Sequence, residues 1–481
     1  MALTPISLGL RSNPGRSGAD GAARIINGYA ENAGDEGKLK YPVYAMEGYT
    51  SFAMPASGGL TRALLSYNST TLYGVTGQRI FRCNTSGTCT DMAAFATSGT
   101  VTIARNRKTP DAQIAIVSSD GLFRIIDTSN NSISSPTPPD GAVFTSVCQI
   151  DGYFVFTLAN GEWYISEIDG SAIDTLDFAK AESNPDGLVV CKTRGSDLVL
   201  LGEHTTEFWT NTGNTDFPFE RAASASFGCY AAGSAVEIVM DGSDSTDSVI
   251  FAATNQDGAY IGIRALNGYQ ASKISTHAVD RAVQAETTPA NLRACTWSIN
   301  GHAFYAISGT SFTWVYDTTT QLWHERESSA LSRWRISDAV QFGSKLIIGD
   351  FSSGVLYQMT TSATVAADSV VNMYHSNDNG STFVGPRAKT IGQSSSLKQR
   401  FKWNRIGQSK EDGKVFKLVI TNAVSENGTG LPMTIIPPHV HAYPNPMRFD
   451  TLFADVVPGS SQSTRSKAIT GLAVDVYAVK G

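Results

Sequence analysis

The sequence is short of charge, of long hydrophobic runs and of catalytic punctuation, and each shortage excludes something. Only 17% of its 481 residues are charged, while 10% are aromatic. Disordered chains show the reverse balance, so this chain folds. The apolar run at residues 198–201 stops at four residues, far from the roughly 18–20 that a membrane helix requires. No membrane insertion is expected. Residues 1–10 (MALTPISLGL) lack a basic stretch ahead of a continuous apolar core and do not read as a secretory leader. No G-x-S-x-G elbow, P-loop, H-E-x-x-H or CxxC pair is present, and neither a cofactor, a metal nor a catalytic residue is expected. With 37 Lys and Arg against 43 Asp and Glu, the net charge is −6, which argues against coating DNA by bulk attraction but not against a local basic stripe.

The six cysteines are dispersed, and most sit among apolar neighbours, the setting of a buried reduced thiol. Cys83 and Cys89 flank Asn-Thr-Ser-Gly-Thr, a hairpin-like tip at which a bridge is allowed but not required.

What the chain does have is a repeat. Turn residues followed by alternating aromatic and β-branched positions recur at Gly77, Asp120, Asn160, Thr205, Asp257, Thr310 and Ser353, with spacings of 43, 40, 45, 52, 53 and 43. Each copy follows a second apolar strand pattern, as in Asp151-Gly-Tyr-Phe-Val-Phe-Thr157 or Gly301-His-Ala-Phe-Tyr-Ala-Ile307. Period-2 alternation with Asp-Gly and Asn-Gly turns marks antiparallel β-structure. Three or four strands every 46 residues or so is the size of a propeller blade. A run of unrelated hairpins in sandwiches rarely keeps such a period over seven units. The expected fold is all-β: a β-propeller over residues 55–362 with seven blades, or six should two merge. Residues 1–54, Gly-rich and irregular, read as an extended N-terminal arm, and residues 363–481 as a C-terminal β-rich domain, the candidate ring-forming or docking region.

Individual motifs carry modest weight. Ser376, Asp378, Gly380, Thr382 and Phe383 follow the Asp-box pattern S-x-D-x-G-x-T-F, in which the carboxylate caps a tight turn, glycine supplies positive φ and the aromatic anchors the hairpin in a core. One copy indicates a stabilised hairpin rather than a glycosidase. The carboxylates Glu203 and Glu207, Asp174 and Asp177, and Asp241, Asp244 and Asp247 lack a spacing that specifies acid–base or calcium chemistry, and a solvated turn is the plainer reading. His439 and His441 share a strand face without a further local ligand. Between residues 387 and 417 nine basic residues face two acidic ones. Arg387, Lys389, Lys398, Arg400, Lys402 and Arg405 form a candidate basic contact face for DNA or a partner, with a solvated strand face as the alternative. Strand alternation sets Arg400, Lys402 and Asn404 on one side and Phe401, Trp403 and Arg405 on the other.

Several phrases in order resemble the packaged-DNA stabilisation proteins of short-tailed bacteriophages, also called tail accessory factors, tail hubs or nozzles. They are residues 174–186 (DTLDFAKAESNPD), 202–213 (GEHTTEFWTNTG), 217–221 (FPFER), 301–305 (GHAFY), 313–317 (TWVYD), 322–326 (LWHER), 376–383 and 401–407 (FKWNRIG). The resemblance covers most of residues 150–420 and implies a virion tail protein, assembled in the host bacterial cytoplasm as a homohexameric ring below the portal–adaptor complex. It implies partners as well: further copies of itself, the portal–adaptor proteins, a tailspike, tail fibre or needle, and packaged DNA passing through the channel. A structural role, not an enzyme, is expected. The alternative is a glycan-binding or glycan-cleaving propeller of a tail receptor-binding protein, with arginines and carboxylates clustered in the central channel. The repeats offer Arg124, Arg194, Arg264, Arg326 and Arg335, which share no register.

Overall fold

The computed structural model describes residues 3–5, 10–16, 21–32, 34, 42–181, 186–240, 247–360, 369–391, 399–408, 414–438, 448–457 and 473–480. Among these, seven antiparallel sheets follow one another along the chain. The first runs through Thr61–Ser66, Thr71–Thr76, Arg79–Asn84 and Cys89–Ala94, and the next three repeat this four-strand meander up to Phe219–Ala225. The fifth splits its first strand into Gly228–Cys229 and Val236–Ile238, both paired with Ser248–Thr254. The sixth spans Arg293–Ile299 to Leu322–Glu325. The seventh is Ile336–Phe342, Lys345–Asp350 and Leu356–Thr360, completed by Gly48–Ala53 from near the start of the chain, which pairs antiparallel with Leu356–Thr360. All seven sequence repeats fall on third strands. The wide spacing between the repeats at 257 and 310 holds the helix α1 (His277–Ala285), whose N-cap Thr276 accepts from the Val279 amide.

Side-chain alternation explains why these strands are apolar on both faces. In the third blade Val147, Phe154 and Phe156 join residues of the second blade in one hydrophobic cluster, while Cys148 and Val155 join residues of the fourth in another. The same division recurs around the molecule, and Leu64, Leu72 and Phe81 of the first blade pack with Phe342, Ile347 and Leu356 of the seventh. The sheets thus form a closed seven-bladed propeller, in which each blade buries a face on either side and only the outer strands keep an edge.

Residues beyond 369 add two further groups of strands. One, Val370–Ser376, Val384–Thr390, Val415–Glu426 and Thr429–Ile436, is continuous with the sixth and seventh blades in a single 13-stranded sheet, linked through Arg24–Ile26 and Gly48–Ala53. The other contains Gln399–Gln408, Arg448–Val457 and Ala473–Lys480. The segment read from sequence as an arm threads through this region. Arg24–Ile26 pairs with Thr429–Ile436 and makes one parallel bridge to Glu325 of the sixth blade, Gly28–Ala30 pairs with Val43–Ala45, and Leu3–Pro5 pairs with Ala473–Lys480. A single core cluster joins Tyr29 and Met46, Trp297 and Trp334 of the propeller, and Trp403, Phe416 and Met433 of the C-terminal region.

Cys83 and Cys89 are cross-strand partners in the first blade and are disulfide-bonded. Cys148, Cys191, Cys229 and Cys295 are free and buried.

Candidate functional site

The first strands of all seven blades converge on an axial cavity of about 470 Å³. Its wall is also the seam of the propeller. The Leu64 amide donates to Asp338 Oδ2 at 2.7 Å, tying the first blade to the seventh. The Val147 amide donates to Thr102 Oγ1 (2.8 Å), and the Cys191 amide to Ser146 Oγ (3.1 Å). Glu237 Oε1 accepts from both the amide (2.8 Å) and the hydroxyl (2.9 Å) of Thr193. Arg62, buried between the first two blades, donates to the carbonyls of Gly77, Thr97 and Gly99. Both cavity carboxylates are therefore held by backbone of the neighbouring blade.

Two cations of the cavity have no such role. Arg293 and Lys192 line it and make no hydrogen bond or ion pair with the described residues. Burial lowers the pKa of Arg293 to about 10, with the charge of Arg62 acting in the same direction and Asp338 opposing. Burial raises Asp338 to about 6 despite the two backbone amides on its carboxylate and the nearby Lys192 and Arg293. The arginines expected for a channel cluster lie elsewhere. Arg194 pairs with Asp197, Arg335 with Glu426 (3.2 Å) and Asp350 (3.4 Å), and Arg326 is sealed between the propeller and the N-terminal segment. Sequence reading missed Arg293 and Lys192, and the available signal was position: each lies on the first strand of its blade, ahead of the recurring pattern.

The Asp-box-like turn joins Val370–Ser376 to Val384–Thr390. Ser376 Oγ donates to Asp378 Oδ1 (2.5 Å) and accepts from the Gly380 amide (2.9 Å), while Asp378 accepts from both the amide (2.9 Å) and the hydroxyl of Thr382. These bonds hold the Asp378 carboxyl down at about 2, the Ser376 hydroxyl contributing most. Gly380 adopts φ +82°, as a turn of this kind demands. Phe383 differs from expectation: it is half-buried, with the Lys417 ammonium 5.5 Å from its ring centroid, and belongs to no core cluster.

The basic face divides. Phe401 and Trp403 point inward and Arg400, Lys402 and Asn404 are exposed, as alternation requires. Arg405 departs from it. The register breaks between Asn404 and Gly407, Arg405 takes φ +54°, and Ile406 occupies the buried position, so Arg405 is exposed with the other cations. Arg387 reaches across to this bulge and donates to the carbonyls of Asn404 (2.9 Å) and Arg405 (3.4 Å), and the Trp403 indole donates to the Arg387 carbonyl (2.8 Å). Lys389 is exposed one pleat away. Lys398 lies outside the described residues, as do Asp241, Asp244, His439 and His441. Of the remaining carboxylates, Glu207 pairs with Arg221 (3.1 Å) and Asp174 caps the Leu176 amide (2.9 Å). No group of three potential metal ligands occurs among the described residues.

Residues 40–364 match the family described as Phage_stabilise: bacteriophage P22 Gp10, beta-propeller. The chain belongs to this family. The matched stretch takes in all seven blades of the phage packaged-DNA stabilisation propeller, including the closing strand Gly48–Ala53. No curated protein matches the sequence. Among solved structures the chain is similar to the β-propeller domain of Cps50 (Swd1) from Myceliophteria thermophila, at 10% identity over 65% of this chain and 99% of that one, with a TM-score of 0.44. It is also similar to the extracellular domain of BT4673, a putative one-component system of B. thetaiotaomicron, at 9% identity over 68% of this chain and 42% of that one (TM-score 0.45), and to the WD40 propeller of Doa1, at 9% identity over 66% and 97% (TM-score 0.40).

Proposed function

We propose that this phage propeller protein is a structural part of a short-tailed phage tail, a hub or nozzle ring below the portal–adaptor complex. In that role it extends the DNA channel, helps retain packaged DNA and offers attachment sites for tailspikes, fibres or a needle. The observation that carries this reading is the match of the whole propeller to the P22 Gp10 family. Supporting it, the propeller is closed and cross-tied at its seams, a rigid node with few exposed strand edges. The axial cavity, at about 470 Å³, has the volume of a small-molecule site and not of a duplex. The conduit is then the space enclosed by several copies, six in this reading. Such a ring needs two different surfaces that match around the axis. We assign them to the C-terminal region with the N-terminal strands woven into it, where Lys389, Lys402 and Arg405 form an exposed basic edge, and we point the propellers outward. A glycan-cleaving reading is not favoured, because Glu237 and Asp338 are both engaged by backbone amides.

Quantitative mass spectrometry of purified DNA-filled particles tests the proposal. About one copy per two portal subunits is expected for a hexamer beneath a dodecamer. Absence from particles, or a trace amount, overturns it.

A further inference from the structure

The axial cavity is lined by four cations, Arg62, Arg105, Lys192 and Arg293, against two carboxylates, Glu237 and Asp338, and Arg105 is turned to the Tyr67 carbonyl. Their roles differ. Arg62 ties the first blade to the second, Asp338 the seventh to the first, and Glu237 the fourth to the fifth. Arg293 and Lys192 tie nothing. Both are only partly accessible, and neither meets an acceptor among the described residues. The Arg293 guanidinium, buried here without a hydrogen-bond acceptor, carries a desolvation cost that the Asp338 charge only partly offsets, and the Lys192 ammonium lines the same cavity. A ligand with oxygens placed for both would return that cost.

Gly233 helps to make room. A Cβ there would stand 2.4 Å from the Leu292 carbonyl and 3.5 Å from Arg293 Nη1, so its backbone lies close against the arginine without a side chain. The available volume sets the ligand's size at a few to a dozen or so heavy atoms, well below that of an oligonucleotide.

We propose that the axial cavity is a binding site for a compact, multiply charged oxyanion, held by the guanidinium of Arg293 and the ammonium of Lys192. Phosphate and carboxylate compounds share this chemistry, and pyrophosphate represents the first source, citrate the second. A bound dianion touches strands of the fourth and sixth blades at once and so stabilises the closed ring through mass action. The proposal is independent of the tail-ring reading.

The test is isothermal titration calorimetry of the full chain with pyrophosphate, citrate and inorganic phosphate at constant ionic strength, alongside thermal melting. Saturable one-to-one binding of pyrophosphate or citrate is expected, with a raised melting midpoint. Arg293→Met and Lys192→Met are each expected to weaken it about tenfold or more. Lys180→Met, exposed on the outer strand of the third blade, leaves it unchanged. Tighter binding of citrate assigns the site to carboxylates, tighter binding of pyrophosphate to phosphates, and both support it. No saturable binding of any of the three overturns the proposal, and so does unaltered affinity in Lys192→Met, which decides the matter should Arg293→Met fold poorly.

Discussion

Arg326, which follows the last strand of the sixth blade, extends its guanidinium to Glu47, just ahead of the strand that closes the seventh, at 3.5 Å. Both are buried, and the cation lies 4.8 Å from the ring centroid of Trp334 and 5.1 Å from that of Trp297. Its Nε and Nη1 have no partner, so Glu47 and the aromatic faces supply its compensation.

Removing one side of a buried pair leaves the other uncompensated, at about 3–5 kcal/mol. Glu47→Gln is accordingly expected to destabilise the protein by about 3 kcal/mol, and Arg326→Met combined with Glu47→Gln by less than Glu47→Gln alone. Urea unfolding followed by tryptophan fluorescence distinguishes the two, and equal losses would assign the cost to packing.

Reading residues 1–54 as an arm would make them removable. The structure gives the opposite expectation, because Gly48–Ala53 is the outer strand of the seventh blade and Tyr49 is buried against Tyr357 with its hydroxyl donating to Glu426. A chain starting at residue 55 should lose the cooperative unfolding transition of the propeller and become protease-sensitive between residues 336 and 360. Retention of a single sharp transition would contradict this.

The basic edge should separate by substitution. Arg387→Ala deletes charged donors to two solvent-exposed backbone carbonyls at the bulge and is expected to cost about 0.5–1.5 kcal/mol. Lys389→Ala and Arg405→Ala should stay within about 0.5 kcal/mol. If this edge meets DNA or an acidic partner surface, the latter two weaken that binding and flatten its salt dependence while melting unchanged.

The pH dependence of stability has a definite sign at Asp338. Its carboxyl titrates at about 6 when folded and near 3.8 otherwise, so between these values the folded state holds the extra proton. Stability from this group is present below pH 4 and is lost as the pH rises through 6, by at most about 3 kcal/mol and less with solvent in the cavity. Asp378 acts oppositely: its stabilising turn is intact above about pH 4 and lost as the pH falls toward 2. Asp338→Asn should remove the slope between pH 4 and 6, measured as urea midpoints across that range.

Much of this was legible in the sequence for a local reason. Each blade's strands adjoin along the chain, so alternation and Gly turns, as at Asp151-Gly152, mark them directly. The seventh blade's outer strand was not legible, because its six residues lie some 300 positions from their partner and nothing in Gly-Tyr-Thr-Ser-Phe-Ala names it. α1 was missed because nine residues inside a long repeat resemble a loop. The turn at Ser376–Phe383 followed from local chemistry, but Phe383 was set in a core that lies elsewhere. Strict alternation misplaced Arg405, since a bulge shifts register without a compositional sign. The axial cations escaped notice because only closure of the ring gathers strands that begin far apart.

The closing strand also orders events at the ribosome. Gly48–Ala53 emerges early, while Leu356–Thr360 follows roughly 300 residues later, about 15–60 s at ordinary rates of synthesis. Through that interval the growing chain holds one half of a clasp whose other half is not yet made. A strand left unpaired that long presents an open edge, the feature from which strand exchange between copies starts.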